Sequence, residues 1–201
     1  MKLTWLGHSC FAVEQNGYKI ILDPYRDVAG HADIHTEAHA VLCSHDHFDH
    51  GAVEGVALLP EKESPFTVRT VETCHDEEGG ALRGPNTIHI LTAGGVTMAH
   101  LGDLGHQLTV EQLEALGKVD GILIPIGGTY TVTAEGAKQV CDAIAPKWVV
   151  PMHYRHGTYG FPVLTTLEDF TKLWTEPAQF VTNTFEVDEA TTGVLVPTFE
   201  E

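Results

Sequence analysis

Four side chains that bind divalent cations, His45, His47, Asp49 and His50, fall in one short run of the chain. Neutral imidazoles and a carboxylate suit zinc, manganese or iron, and the lack of cysteine in the run speaks against a closed structural zinc site. In an extended segment alternate side chains share a face. His45, His47 and Asp49 would then point one way, and a turn at Asp49 and His50 would swing the last imidazole toward a neighbouring ion. The spacing points to two adjacent metals rather than one.

Such a cluster needs a scaffold that holds loops at a common edge, and the flanking sequence supplies one. The apolar run from Ala40 to Cys43 leads into the cluster and Gly51 follows it, as at the end of a buried strand. Similar strand ends recur. Phe66 to Thr73 delivers His75, Val96 to Leu101 delivers Gly102 and Asp103, and Trp148 to Pro151 delivers His153. Glycine beside Asp103 leaves room for backbone and ion to approach closely. The rival to His75 is His89, read as an outward-facing residue of the strand from Thr87 to Leu91. Near the start, strands over Leu3 to Leu6, Cys10 to Gln15 and Tyr18 to Leu22 are expected, the last two joined by the hairpin signal Asn16-Gly17. His8, in the first turn, either approaches the site or is an ordinary loop histidine. Asp23 is either a turn former or a carboxylate that orients a ligand imidazole through its other ring nitrogen.

The rest alternates. A short helix is expected over Gly51 to Leu59, and a hairpin pairs Thr87 to Leu91 with Val96 to Leu101. Capped helices are expected from Thr109 to Leu116, from Thr133 to Ala145, and from Thr165 to Trp174 with Thr165 and Glu168 as the capping box. Strands should run from Asp120 to Ile126 and at Gln179 to Thr182 and Thr192 to Pro197.

The chain has 201 residues, 43% of them apolar, with no repeat or low-complexity linker, so one domain over residues 1–201 is expected. No signal peptide or membrane span is expected, because Met1 to Trp5 runs directly into a strand pattern. Cys10, Cys43, Cys74 and Cys141 show no paired spacing and read as reduced thiols of a cytoplasmic protein. The net charge of -17, from 28 acidic and 11 basic residues, disfavours nucleic acid and anionic membranes as partners. A small-molecule substrate is the expected partner, and homo-oligomerisation is left open.

The run from His45 to His50 resembles the signature of the metallo-β-lactamase fold superfamily, and Gly102-Asp103 resembles its later carboxylate position. Gly7 to Phe11, Pro125 to Tyr130 and Pro151 to Tyr154 are similar to the small, insertion-free branch that includes L-ascorbate-6-phosphate lactonase-like proteins. The resemblance implies a mixed α/β fold, a four-layer αββα sandwich with the site on one rim. It implies that His45, His47 and His75 hold one ion, that Asp49, His50 and His153 hold the other, and that Asp103 bridges them. The cofactors implied are two divalent ions, zinc first, with manganese or iron as substitutes.

The activity implied is hydrolysis of a small ester, lactone or phosphodiester by a hydroxide shared between the ions, with Asp49 and Asp103 as the catalytic carboxylates. For the leaving-group acid, Tyr154, His156, Tyr130 and Asp76 all stand open. Arg83 and Arg155 are candidates to meet an anionic substrate group, with surface ion pairing as the competing role. Tyr130, Tyr154 and His156 complete the candidate substrate contacts. The alternative is a metal-binding or redox protein on the same scaffold. A di-iron redox centre normally carries Glu where His47 stands, and a nuclease a long insertion between the positions of Asp103 and His153.

Overall fold

The computed structural model describes residues 1–198. In chain order the strands are β1 (Lys2–Gly7), β2 (Cys10–Gln15), β3 (Tyr18–Leu22), β4 (Thr36–Ala38), β5 (Ala40–Leu42), β6 (Val56–Leu58), β7 (Thr67–Cys74), β8 (Pro85–Ala93), β9 (Val96–His100), β10 (Gly121–Pro125), β11 (Trp148–Met152), β12 (Gln179–Thr182), β13 (Thr184–Glu186) and β14 (Gly193–Thr198). The helices are α1 (Val110–Leu116), α2 (Ala134–Ile144) and α3 (Leu167–Thr171). Among the described residues no helix is long and apolar enough to cross a membrane.

Two sheets face one another across the core. One has five strands in the order β13-β1-β2-β3-β5, the other seven in the order β12-β14-β11-β10-β9-β8-β7, and β4 pairs with β6 in a separate ribbon. Side-chain alternation explains why the first sheet needs cover on both faces. Phe11 and Val13 of β2 and Ile20 and Leu22 of β3 enter the core shared with the second sheet. Cys10, Ala12 and Ile21 point the other way, into a smaller cluster with Tyr25, Val28, Ile34 and Val56. Asn16 and Gly17, with φ of 51° and 70°, make the tight turn between the two strands.

In the second sheet β9, β10, β11 and β14 run parallel, and every residue of β10 and β11 is buried. Parallel strands covered on both faces carry such continuous apolar runs. Helix α2 contributes Ala137, Val140 and Cys141 to the core, and α3 contributes Leu167 and Phe170. Gly121 is required where it stands, because a Cβ there would run into the Trp148 ring. This is the sheet-rich mixed α/β architecture expected.

Three expectations need correction. The helix expected over Gly51 to Leu59 is a 3-10 turn, Val53–Gly55, followed by β6. Two glycines and two valines give this stretch weak helix propensity, and Gly55 lies against the Ile34 carbonyl where no Cβ would fit. The layer over the first sheet is accordingly made, among the described residues, of loop, ribbon and 3-10 turn. The helix expected from Thr165 to Trp174 shrinks to α3, and its start moves past Thr165, which is tied through Oγ1 to the carbonyl of Ile126, just beyond β10, at 2.8 Å. The cap passes to Thr166, whose N–H donates to Asp169 Oδ2 at 3.3 Å. His89 does not face outward: it is buried, and its Nε2 lies 2.9 Å from the Cys43 carbonyl oxygen.

Candidate metal centre

Five strand ends converge on one rim. His8 follows β1 directly, His75 follows β7 and His153 follows β11, while His45 and Asp103 lie three residues beyond β5 and β9. The loop from His45 to His50 is not extended but turned, with the His50 and Gly51 N–H groups both donating to the His47 carbonyl at 3.0 and 2.7 Å. Simple alternation therefore fails here. The turn divides the run, placing His45 and His47 with His75 and sending Asp49 and His50 to the other side.

Two sets of donors result. His45, His47 and His75 each offer a ligand atom within 4.8 Å of the others, and so do His8, Asp49, His50 and His153. Asp103 stands between them. Its Oδ2 is 3.1 Å from His75 Nε2, 3.3 Å from His153 Nε2 and 4.0 Å from His45 Nε2, and its Oδ1 is 3.1 Å from His50 Nε2. Asp49 Oδ2 lies 3.4 Å from His8 Nε2 and 3.9 Å from His50 Nε2. His45, His50 and Asp103 form a further group of this kind, which joins the two sets.

Both the bonding and the charge of these groups fit divalent cations. His8 and His153 lack a hydrogen-bond partner at either ring nitrogen, as do His45 and His50 at Nε2, His75 at Nδ1 and Asp103 at Oδ1, all of them buried. Each such atom left unpaired costs about 1–3 kcal/mol, and His50 Nε2 and Asp103 Oδ1 face each other at 3.1 Å. Asp23, Asp49 and Asp103 are buried together, and no Lys or Arg is buried among the described residues. Buried carboxylates demand compensation, which cations supply. Burial, with His153 beside it, pushes the His8 pKa down to about 3. Burial and neighbouring His50 bring His45 to about 3 as well, so both rings keep a free lone pair. Burial works against charge on Asp103 too, but His153 and His50 outweigh it and hold its pKa well below the usual carboxylate range.

A supporting layer orients these groups. Asp23 Oδ2 sits 2.7 Å from His50 Nδ1 and accepts from Ser44 Oγ at 2.7 Å, while Oδ1 accepts from the Ser44 N–H at 2.6 Å. Asp23 is thus the orienting carboxylate and not merely a turn former. Burial opposes its charge, but His100 and His50 bring its pKa down to about 2. Asn86, which the sequence did not mark, receives the Asp103 N–H at 2.8 Å and donates to Thr73 Oγ1 and the Leu101 carbonyl at 2.8 and 3.0 Å. It locks the ends of three strands, and Gly102 leaves the space it needs. His8, Asp23 and His153 adopt positive φ of 50°, 47° and 53°. Non-glycine residues held there cost of order 1–3 kcal/mol each and cluster at functional sites.

A cavity of about 450 Å³ opens onto this centre, lined by His47, Phe48, Asp49, His75, Arg83, Asp103, Tyr130 and Phe161. Two other surface cavities, of about 530 and 560 Å³, contain none of the clustered donors. Of the expected substrate contacts, Arg83 and Tyr130 reach the lining, with the Arg83 guanidinium 5.7 Å from the Tyr130 ring centre. Tyr154 does not: it is buried, stacked on Trp5 at 6.1 Å. Arg155 and His156 lie in the loop beyond β11, off the lining, where Arg155 Nε donates to the Leu164 carbonyl at 3.4 Å. Asp76 accepts four backbone N–H groups, from Glu78, Gly80, Leu82 and Arg83, and so shapes the loop that presents Arg83. Phe48 and Phe161 were not singled out in the sequence; nothing in their spacing marks them as cavity walls.

Known proteins resemble this chain over most of its length. The β-lactamase superfamily domain family matches residues 2–153. A UPF0173 protein of Pyrococcus furiosus is 35% identical over 185 residues, covering 80% of this chain and 85% of that one. A UPF0173 metal-dependent hydrolase of Carboxydothermus hydrogenoformans is 31% identical over 191 residues, covering 77% and 84%. The crystal structure of a candidate Zn-dependent hydrolase of the metallo-β-lactamase superfamily from Thermotoga maritima superposes with a TM-score of 0.79 at 33% identity, over 99% of each chain. Matched over most of its length by family, relatives and fold, the chain belongs to the metallo-β-lactamase superfamily, among relatives named UPF0173 metal-dependent hydrolases.

Proposed function

We propose that this protein is a dinuclear metal-dependent hydrolase acting on a small ester, lactone or phosphodiester. The observation that carries the reading is the shared position of Asp103, within 3.3 Å of His75, His50 and His153, between two sets of donors at the floor of an open cavity. His45, His47 and His75 would hold one divalent ion and Asp49, His50 and His153 the other, zinc first, with manganese or iron as substitutes. Such ions make a coordinated water acidic enough to act as hydroxide near neutral pH and polarise the oxygen of the bond under attack.

The protein's own groups do the rest. Asp49 reaches the cavity as well as the second set, so its carboxylate is placed to orient the nucleophile and to take its proton. Phe48, Phe161 and Tyr130 give the cavity apolar walls that exclude water from an acyl or aryl group. Arg83 is the cation on that lining, in a chain of net charge -17, and would pair with an anionic substrate group. Of the four candidate leaving-group acids, Tyr130 is the one that lines the cavity; Asp76 spends both oxygens on backbone N–H groups. Tyr154, Arg155 and His156 are given no substrate role.

A small-molecule substrate follows from the cavity's size, and the acidic charge argues against nucleic acid. The four unpaired cysteines support a cytoplasmic setting. The test is a panel of lactones, carboxylic esters, thioesters and phosphodiesters presented to zinc- and manganese-loaded protein. Metal-dependent turnover of at least one class is expected. No turnover of any class by protein that has taken up both ions would contradict the reading.

A further inference from the structure

Resting on the reading that divalent ions occupy this centre, we infer that His8 is a fourth protein ligand of the buried ion. That ion thereby has one protein donor more than the ion at His45, His47 and His75. Beside the His8 imidazole stand Asp49 Oδ2, 3.4 Å from Nε2, and the rings of His153 and His50. The His8 side chain is buried, neither ring nitrogen has a hydrogen-bond partner, and each is enclosed by the protein. An unpaired imidazole in such a place is costly unless something binds its lone pair.

The backbone has been bent to put it there. His8 holds a φ of 50° and Gly7 before it a φ of 110°. The His8 carbonyl accepts from Trp5 Nε1 at 3.0 Å and from the His153 N–H at 3.4 Å, which ties this turn to the one carrying His153. The two rings lie 4.1 Å apart, centre to centre, and the His50 ring 5.5 Å away. A ring held merely to orient Asp49 would donate to it. Here Asp49 Oδ2 stands 3.4 Å from Nε2, long for a charge-assisted hydrogen bond and a separation better suited to two donors facing a common cation.

Counting donors then separates the two halves. His8, Asp49, His50 and His153 give the buried half three nitrogens and an oxygen before Asp103 is added, enough to fill a tetrahedral zinc shell. The other half has three nitrogens, so with Asp103 shared the buried half keeps one protein donor more. The cavity touches His47 and His75 of the three-histidine half and Asp49 of the buried half, but not His8, His50 or His153, so incoming water or substrate meets the buried half through Asp49 alone.

Zinc titration of metal-stripped protein against a competing chelator tests this. Wild-type protein should bind two ions of unequal affinity. His8→Ala should weaken the tighter ion by at least about tenfold and spare the weaker, whereas His47→Ala should do the reverse. In cobalt-loaded protein His8→Ala should change the visible absorption of the tighter site alone. His8→Ala and His8→Gln chains that keep both affinities and the cobalt spectrum would overturn the assignment and leave the dinuclear reading standing. Wild-type protein that takes up one ion contradicts the dinuclear reading, and His8 is then judged by whether that ion loosens in His8→Ala; no uptake at all overturns both. Where substitution unfolds the chain, the ring 15N resonances of His8 in unmutated protein decide. They should shift on addition of the first equivalent of Zn2+, and resonances that stay put overturn the inference.

Discussion

The two halves of the centre are built from one loop and differ in what surrounds them. His47 and His75 line the cavity, and His47 is exposed at its edge. Asp49 and His50 turn inward to join His8 and His153, and all four are buried. The inner half is also braced: His50 leans on Asp23, Asp23 on Ser44, and His8 on the turn of His153. The outer half has one comparable support, Ser44 Oγ at 2.9 Å from His45 Nδ1. A preorganised, dry half holds a cation tightly, and a half-open one leaves room for water and substrate.

Asp103→Ala should have the largest effect, because that carboxylate touches both halves. Turnover should vanish and at least one ion should loosen by about 100-fold or more, read by chelator competition. An effect confined to one half would separate what the comparison joins. Next is Asp23→Asn, which removes the brace from the inner half alone. The buried ion should weaken by about 10- to 100-fold, and the metal-free fold should lose about 3–5 kcal/mol in denaturant melts as a buried charged partner disappears.

A pH measurement sharpens the same contrast. Burial disfavours charge on His50, but Asp103 and Asp23 on either side outweigh it and hold its pKa well above the ordinary imidazole value. In metal-free protein the protonated ring therefore stabilises the fold fully below about pH 6.5, and that contribution is lost as the pH rises through the raised value. A cation entering the inner half must displace this proton. Zinc binding should thus release protons at about pH 7.5, where an unperturbed imidazole has little to give, and calorimetry in buffers of different ionisation enthalpy would show it. Filling the outer half should release fewer.

Smaller effects are expected away from the ions. Arg83→Ala should raise KM about tenfold for anionic substrates and leave neutral ones nearly unchanged, the loss of one charge-assisted contact. His89→Ala should change neither metal content nor turnover, costing only about 1 kcal/mol of stability through its lost contact with the Cys43 carbonyl.

How much of this the sequence disclosed depends on range. Strands and caps set by local rules were legible: β2 and β3 with their Asn16-Gly17 turn, and α1 with its Thr109 and Gln112 box. The strand ends carrying His75, Asp103 and His153 were legible because an apolar run followed by glycine or a polar turn has a recognisable pattern. What was not legible depended on chain from elsewhere. The 3-10 turn at Val53 follows from contact with Ile34, and the later start of α3 from the tie of Thr165 to the Ile126 carbonyl. Asn86 and Phe161 carry no local mark of their tasks. His8 shared the strand-end pattern of the other histidines, but a single imidazole in a two-residue turn does not announce which way it points.

Elemental analysis of the purified, folded protein, with activity measured on the same sample, decides whether the centre works through a pair of ions. Close to two divalent ions per chain are expected, with activity lost when they are stripped and regained when they return. A folded chain that turns over substrate with no metal bound would contradict the account.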